Sequence, residues 1–310
     1  MAKTLTIFTP TYNRAHFLSN LWESLCKQNN KNFIWLVVDD GSIDNTYELI
    51  EKWIKFSPFE IEYVYQPNGG KHIAHNHAVS ICKTPLFMCV DSDDLLVPWA
   101  VDLIESYYKE SNRQKNDIIG WCNRRGDLKG KPVNDKNWPQ DEPRLSCVEL
   151  FEKLNFHGET SLVWRTEYLK QYQFPRIVEE NFVTEMVLYY QVSNTAKMQL
   201  KNDIFYLFEY HSDGYTKAGL KLKKGNPIGT AIAFKVKWLF AVGKINRILS
   251  QVKYKAWLKC LQLSDSKIDK YLQTLNYGKN QNKYNNENFW GMNILILCAE
   301  YYIKWKIMKL

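Results

Sequence analysis

The sequence has no Cys-x-x-Cys pair, and its seven cysteines (Cys26, Cys82, Cys89, Cys122, Cys147, Cys260 and Cys298) are an odd number. Most stand among apolar residues, a pattern of reduced, buried thiols that argues against a disulfide scaffold or a zinc framework. Also missing is any run near the roughly 18 uninterrupted apolar residues of a spanning helix. The start, MAKTLTIFTP, lacks the apolar core of a secretion signal. A cytoplasmic chain is expected. No internal repeat is visible. Acidic residues are scarce in the last third: Gly219 to Leu310 holds 17 Lys plus Arg against 4 Asp plus Glu, a net of +13. The first 218 residues therefore carry −5 of the overall +8. Composition changes with charge, because the basic part places Trp238, Trp257, Trp290 and Trp305 among lysines and shows no obvious strand. Two regions are expected, 1–218 and a mostly helical 219–310.

What is present is enough for a sizeable core: 310 residues, 45% apolar and 15% aromatic. Strands are predicted at Leu5 to Phe8, Phe33 to Val38, Ile61 to Tyr65, Leu86 to Val90 and Asp117 to Cys122. Helix-period segments lie between them, at about His16 to Lys27, Thr46 to Lys55, Ile73 to Cys82 and Trp99 to Lys109. Strands separated by helices of this length pair in parallel through crossovers, so the fold class is α/β. After a Pro-, Asn- and Lys-rich connection the pattern resumes. A helix is predicted at Cys147 to Leu154, a strand near Ser161 to Trp164, a helix around Thr184 to Val192 and a strand at Ile204 to Tyr210.

Ligands of open parallel sheets bind beyond the carboxyl ends of the strands. Three polar clusters fall there: TPTYNR after the first strand, VDDGS after the second and DSDD after the fourth. The last packs Asp91, Asp93 and Asp94 into four positions, which is costly unless something positive sits beside them. Two carboxylates at i and i+2 suit a hard divalent cation, Mg²⁺ or Mn²⁺, that completes its shell with water and phosphate oxygens. The plainer account has one of these acids capping the following helix and the others solvated.

The order TPTYNR, VDDGSIDNT, NGG with HNHAV, then DSDD followed by a proline resembles family 2 glycosyltransferases of the GT-A fold, strongly over residues 4–110 and weakly to about 217. The resemblance implies an inverting transfer of a sugar from a UDP-sugar to a glycan, glycoprotein or lipid-linked acceptor, with Mn²⁺ or Mg²⁺ as cofactor. By position it assigns Pro10, Thr11 and Tyr12 to the nucleotide loop and gives Arg14 either a nucleotide contact or a loop cap. Asp40 matches a uracil reader, although a strand-ending turn explains Asp39 to Ser42 equally well. Lys71 and Asn76 match positions facing the nucleotide sugar, Asp91 the ribose and metal, and Asp93 the principal metal ligand. His75 stands where Arg is frequent, and a helix-surface role accounts for it as readily. Glu185 matches the general base, with Glu180 and Glu179 in reserve; helix capping by Thr184 or Asn181 would explain an acid there too. His211 in EYHSDGYTKAG matches a further metal ligand, with Tyr215, Thr216 or Lys217 near phosphate.

Two other accounts compete. A nucleotidyltransferase would share the sheet but needs a Gly-rich loop with Arg and Lys after the first strand, which is absent. A silent GT-A domain recruited to a glycosylating complex would keep nucleotide binding and lack the base. In the basic region, Ile232, Val236, Leu239, Val242, Ile245, Leu249 and Val252 recur at three- and four-residue spacing. One or two amphipathic helices follow, serving a helical domain, an anionic membrane surface or both. No nucleic-acid motif accompanies the basic charge.

Overall fold

In a computed structural model, the structure describes residues 2–114, 117–133, 136–192, 196–209, 215–275 and 296. The chain opens with β1 (Leu5–Thr11), α1 (Ala15–Cys26), β2 (Phe33–Asp39), α2 (Thr46–Ile54), β3 (Glu60–Tyr65) and α3 (Lys71–Ile81). Next come β4 (Leu86–Cys89), β5 (Leu95–Leu96), α4 (Ala100–Arg113), β6 (Ile118–Arg124), β7 (Arg144–Leu145) and α5 (Cys147–Glu152). They are followed by β8 (Thr160–Arg165), α6 (Thr166–Leu169), α7 (Met186–Val192), β9 (Lys197–Lys201) and β10 (Tyr206–Leu207). The described part closes with α8 (Tyr215–Gly225), α9 (Pro227–Phe240), α10 (Lys244–Leu261) and α11 (Asp265–Leu272).

These elements form two compact units. One comprises Met1–Leu145, Phe156–Gln171 and Ala196–Tyr210; the other comprises Ser146–Asn155, Tyr172–Thr195 and His211–Leu310. Compactness thus divides the chain differently from a single cut after residue 218. The reason lies in α5 and α7, which pack on each other, and in α7, which packs on α9; both belong with the helices rather than the sheet.

The first unit is built on an eight-stranded sheet of order β3-β2-β1-β4-β8-β6-β9-β7. β1 is parallel to β2 and β4, and β2 to β3. Every residue of β2 is buried, as expected of a strand covered on both faces. Helix α1 contributes Leu18, Leu21 and Leu25 to the core at helical spacing, against Ile7, Trp35 and Val37 of the sheet. Burying side chains of this size is worth about 1.5–3 kcal/mol each. Trp22 and Trp53 stack at 4.9 Å to close the outer side of this layer.

Beyond β4 the sheet departs from the expected parallel set. β8 inserts between β4 and β6 and runs antiparallel to both. It comes so close to β6 that a Cβ on Gly120 would lie 2.0 Å from the Val163 carbonyl oxygen, so only glycine fits. β9 is absent from the sequence expectation, because KMQLK is short and carries lysine at both ends. The strand expected at Ile204 to Tyr210 shrinks to β10, which pairs with β5.

In the second unit, Trp257 is buried and donates from Nε1 to the Pro227 carbonyl (2.9 Å). It therefore serves the helical core and no external surface; Trp290 and Trp305 lie outside the described residues. Lys235, nearly buried on α9, faces both acids of α11. Its ammonium pairs with Asp265 and lies 2.5 Å from Asp269. Asp265 also accepts from Tyr254 (2.5 Å) and Lys255 (3.0 Å). Burial opposes ionisation of Asp265, but the donors Lys235, Tyr254 and Lys255 prevail and hold its carboxyl down at about 2.

Lys235→Met should lower the unfolding free energy by about 1–2 kcal/mol near neutral pH, once screening at the half-exposed carboxylates is allowed for. Because the folded carboxyl titrates below its unfolded value of about 3.9, this stabilisation is complete above that pH and is lost as pH falls towards 2. Urea unfolding at neutral and acidic pH checks both points: the wild type should lose more stability on acidification than the variant does. Equal stability of the two proteins at neutral pH would remove the role given to this network.

Candidate active site

Register brings the site loops to one edge. Thr11 pairs with Asp39, and Asp39 with Tyr65, so β1, β2 and β3 end level. β4 runs parallel beside β1, which sends Asp91 to Asp94 to the same edge. The loops that follow are tied to each other. Asn13, at φ 53°, donates from its backbone N–H to Ser42 Oγ (2.9 Å), and its Oδ1 accepts from the Ile43 N–H (2.8 Å). Asp44 Oδ2 accepts from the N–H of Ala15 (3.0 Å), so the second loop caps the helix begun by the first. Gly41 has φ +91°, and a Cβ there would lie 2.9 Å from the Asn68 nitrogen, which is why the turn after β2 needs glycine.

Both acids of VDDGS are buried and occupied. Asp39 accepts from the Ser42 N–H (2.7 Å) and the Tyr63 hydroxyl (2.8 Å). Asp40 accepts from Gln66 (2.7 Å), the Gly69 N–H (2.9 Å) and the Gly70 N–H (2.7 Å). Asp40 thereby holds the NGG turn onto β2, a structural task that the sequence left undivided from nucleotide reading. Gln66 is itself bonded to His77 Nδ1 at 3.0 Å. On the rim, Tyr12 is 49% exposed and Pro10 is partly so.

The three carboxylates after β4 each have a separate cation. Lys71 Nζ lies 2.7 Å from Asp91, Arg14 Nη1 lies 2.8 Å from Asp93, and Arg125 Nη1 lies 3.4 Å from Asp94. Tyr206, fully buried, accepts from the Asp91 N–H (3.0 Å) and donates to Asp94 Oδ2 (2.6 Å), with the Arg125 guanidinium stacked 4.0 Å from its ring centre. Burial pulls Asp91 upward, but Lys71, Arg125 and Arg14 outweigh it and keep the carboxyl below its usual range. Asp94 moves the other way, pushed up to about 7 by burial and then by the charge of Asp91. Neighbouring acids are thus driven apart, one firmly ionised and one ready to hold a proton.

Arg125 and Tyr206 were not singled out in the sequence. No spacing signal could have found them, since they reach Asp94 from 31 and 112 residues away. Nor is His75 a helix-surface residue: its ring meets the edges of Phe8 (5.9 Å) and Phe87 (5.4 Å). Burial, followed by Lys71, pushes it down to about 3, so it stays neutral. Asn76, on the same helix, is half-buried.

A hard divalent ion fits this donor set in kind. Asp91 and Asp93 offer two carboxylates, and such ions commonly take one or two from protein and the rest from phosphates and water. Among the described residues there is no group of three or more His, Cys, Asp or Glu side chains gathered for a metal. His211 lies outside the described residues, as do the side chains of Tyr215, Thr216 and Lys217.

The other acids belong to the second unit. Glu185 directly precedes α7, and its carbonyl accepts from the Tyr189 N–H (3.1 Å), so it stands at the helix start and not within the helix, as the range from Thr184 implied. Glu180 is committed elsewhere. Its oxygens accept from the N–H groups of Ile228 and Gly229, both 2.7 Å, at the start of α9. In return Asn226 Oδ1 accepts from the N–H groups of Asn181 (3.1 Å) and Phe182 (3.0 Å). This reciprocal clasp makes Glu180 a helix anchor, and Glu179 adopts φ 69° beside it.

A mostly parallel sheet with acids after its fourth strand and loops stitched along one carboxyl edge is the GT-A arrangement. The sequence profile of glycosyl transferase family 2 matches residues 6–168, and the chain belongs to that family. It is 28% identical over 224 residues to the chondroitin synthase of Pasteurella multocida, which covers 72% of this chain and 22% of that protein. It is 30% identical over 116 residues to a teichoic acid poly(glycerol phosphate) polymerase of Staphylococcus epidermidis, covering 37% of this chain and 16% of the polymerase. The chain thus spans about a fifth of the length of these relatives. In fold it is similar to S. aureus TarS 1-349 in complex with UDP-GlcNAc (TM-score 0.61, 14% identity, 99% of this chain and 92% of that one). It is also similar to the mannosyltransferase PcManGT of Pyrobaculum calidifontis in complex with GDP-Man and Mn²⁺ (TM-score 0.53, 15% identity, 99% and 88%).

Tyr206→Phe should cost about 1–3 kcal/mol, since it leaves the Asp91 N–H and the Asp94 carboxyl without their shared hydroxyl in a buried place. Thermal unfolding measures the loss, and an unchanged melting temperature would contradict it.

Proposed function

We propose that the chain transfers a sugar from a UDP-sugar, with inversion, to a glycan or glycoconjugate acceptor in bacterial surface polysaccharide or glycoprotein glycan synthesis. The observation that carries this is the meeting of Asp91, Asp93, Arg14 and Lys71 at the end of β4, where two acids and two cations surround one patch of the sheet edge. Family membership supports transfer, the synthases among the relatives support a polymeric acceptor, and the UDP-GlcNAc in the TarS complex supports the donor class. A cytoplasmic location, with a lipid-linked acceptor at the membrane face, is consistent with the described residues forming no helix long and apolar enough to cross a membrane.

Each residue has a task in this scheme. Pro10, Thr11 and Tyr12 receive the base, with the half-exposed Tyr12 ring as its platform. Asp40 keeps Gly69 and Gly70 in place so that the backbone can approach the donor, and it keeps acceptor capacity for a uracil N–H. Lys71 and Arg14, paired here with acids, are the groups that turn to the diphosphate when it enters, with Asn76 facing the sugar. Asp91 and Asp93, with His211, would hold Mn²⁺ or Mg²⁺, which when bound neutralises charge on the leaving diphosphate. Glu185 takes the proton of the acceptor hydroxyl as its oxygen bonds to C1 and the C1–O bond to UDP breaks.

UDP release from a panel of UDP-sugars with Mn²⁺ tests the scheme. Asp93→Ala and Glu185→Gln should each lower turnover by at least about a hundredfold, as removal of a metal ligand or base does. Unaltered rates in both would refute the assignments. UDP binding without any turnover by the wild type would instead identify a silent, nucleotide-binding subunit.

A further inference from the structure

The seven apolar positions of the basic region do not share one environment, and Leu239 is half-buried. Ile232, Val236 and Val252 are buried, whereas Val242, Ile245 and Leu249 are 41%, 73% and 47% exposed. At 3.6 residues per turn, Ile245, Leu249 and Lys253 stand one above another on α10. Val242 precedes its N-cap, Gly243, at the same end. Lys253 is exposed, as is Lys223 of α8, whose ammonium titrates below the ordinary lysine range through partial desolvation and then the charge of Lys253. Helix α8 adds the exposed Lys221 and Lys224 beside Lys223.

The turn that opens this face is bonded to the end of α5. The Val242 N–H donates to Glu152 Oε2 (2.9 Å), and Asn246 Nδ2 reaches the same oxygen at 3.4 Å. The other Glu152 oxygen accepts from the Tyr190 hydroxyl. The aliphatic tip is therefore held out by a fixed turn. A single exposed aliphatic needs no explanation. Ile245 and Leu249 on one face of α10, with the exposed Val242 in the turn before it and exposed lysines beyond, do. Residues 215–275 contain two acids, Asp265 and Asp269, and both are engaged by Lys235, so neither is placed to neutralise the lysines.

We infer that this face, Val242, Ile245 and Leu249 with Lys253 and Lys223 at its far end, docks on an anionic bilayer, the aliphatic side chains entering the headgroup boundary and the ammonium groups meeting lipid phosphates. Opposite charge complements the lysines, and aliphatic groups on a helix lying in the interface plane supply the apolar part. The contact is independent of the transfer reaction.

Sedimentation of the full chain with vesicles of phosphatidylcholine and phosphatidylglycerol, against pure phosphatidylcholine, tests it. Binding should need the anionic lipid and weaken with salt. Ile245→Ser with Leu249→Ser, and separately Lys223→Glu with Lys253→Glu, should each lower the partition constant at least about tenfold, each lysine near the surface being worth about a factor of five. Lys27→Glu with Lys55→Glu, an equal charge change on the exposed surface of the sheet unit, should lower it much less, and Asp93→Ala should leave it unchanged while affecting transfer. All of these sites but Asp93 are exposed, so melting temperatures should hold. Absence of binding to anionic vesicles at low salt, or equal loss in both charge-reversed pairs, would overturn the inference. Light scattering that shows the Ile245/Leu249 variant converting a dimer to a monomer would assign the face to a second copy of the chain and overturn it as well.

Discussion

Three carboxylates within four residues at the end of a buried strand repel one another, and the site exists because the chain answers each with its own cation. Lys71 arrives from the first turn of α3, Arg14 from the loop after β1, and Arg125 from just past β6. Charges this far out of water attract more strongly than surface pairs, but they also cost several kcal/mol each to desolvate. The arrangement is therefore stable only with every partner in place. The ion pairs thus add to the hydrogen bonds that already stitch these segments together, and they fix the sheet edge where the acids emerge.

The same constraint sorts the acids by role. Asp91 and Asp93 face cations on the polar rim, at side-chain exposures of 26% and 15%, where an incoming phosphate could compete for Lys71 and Arg14. Asp94, with Tyr206 and Arg125, lies deeper, at 6%. Its carboxyl rises because the neighbouring charge and the buried position both favour the protonated form. A motif that reads as three equivalent carboxylates is thus two ligand candidates and one structural acid. Asp40 shows a similar division, since a residue read as a base reader also holds the NGG turn through two backbone N–H groups.

Legibility followed locality. β1, β2 and β4 stand out in the sequence because strands buried on both faces are continuous apolar runs, and their carboxyl-edge loops could be named without coordinates. β9 could not be seen, because its buried Met198 and Leu200 alternate with polar residues over only five positions. The antiparallel insertion of β8 was equally hidden, since spacing shows that strands exist and not which neighbours they choose; its one local trace is Gly120, where no side chain fits. Arg125 and Tyr206 act through distance in sequence. The Glu180 and Asn226 clasp likewise joins two segments whose pairing no local pattern announces.

Scarcity of acid in the basic region has a structural consequence beyond net charge. Lys235 is nearly buried, and a buried ammonium must be paired or it destabilises the helices around it. Asp265 and Asp269 meet that demand together, and Asp265 also takes Tyr254 and Lys255. Both acids among the described residues of this region are thus occupied by Lys235 and its neighbours, while Lys221, Lys223, Lys224 and Lys253 stay exposed. The polar network that lets Lys235 be buried takes up both of these acids, so a demand of the helical core decides where their charge is spent.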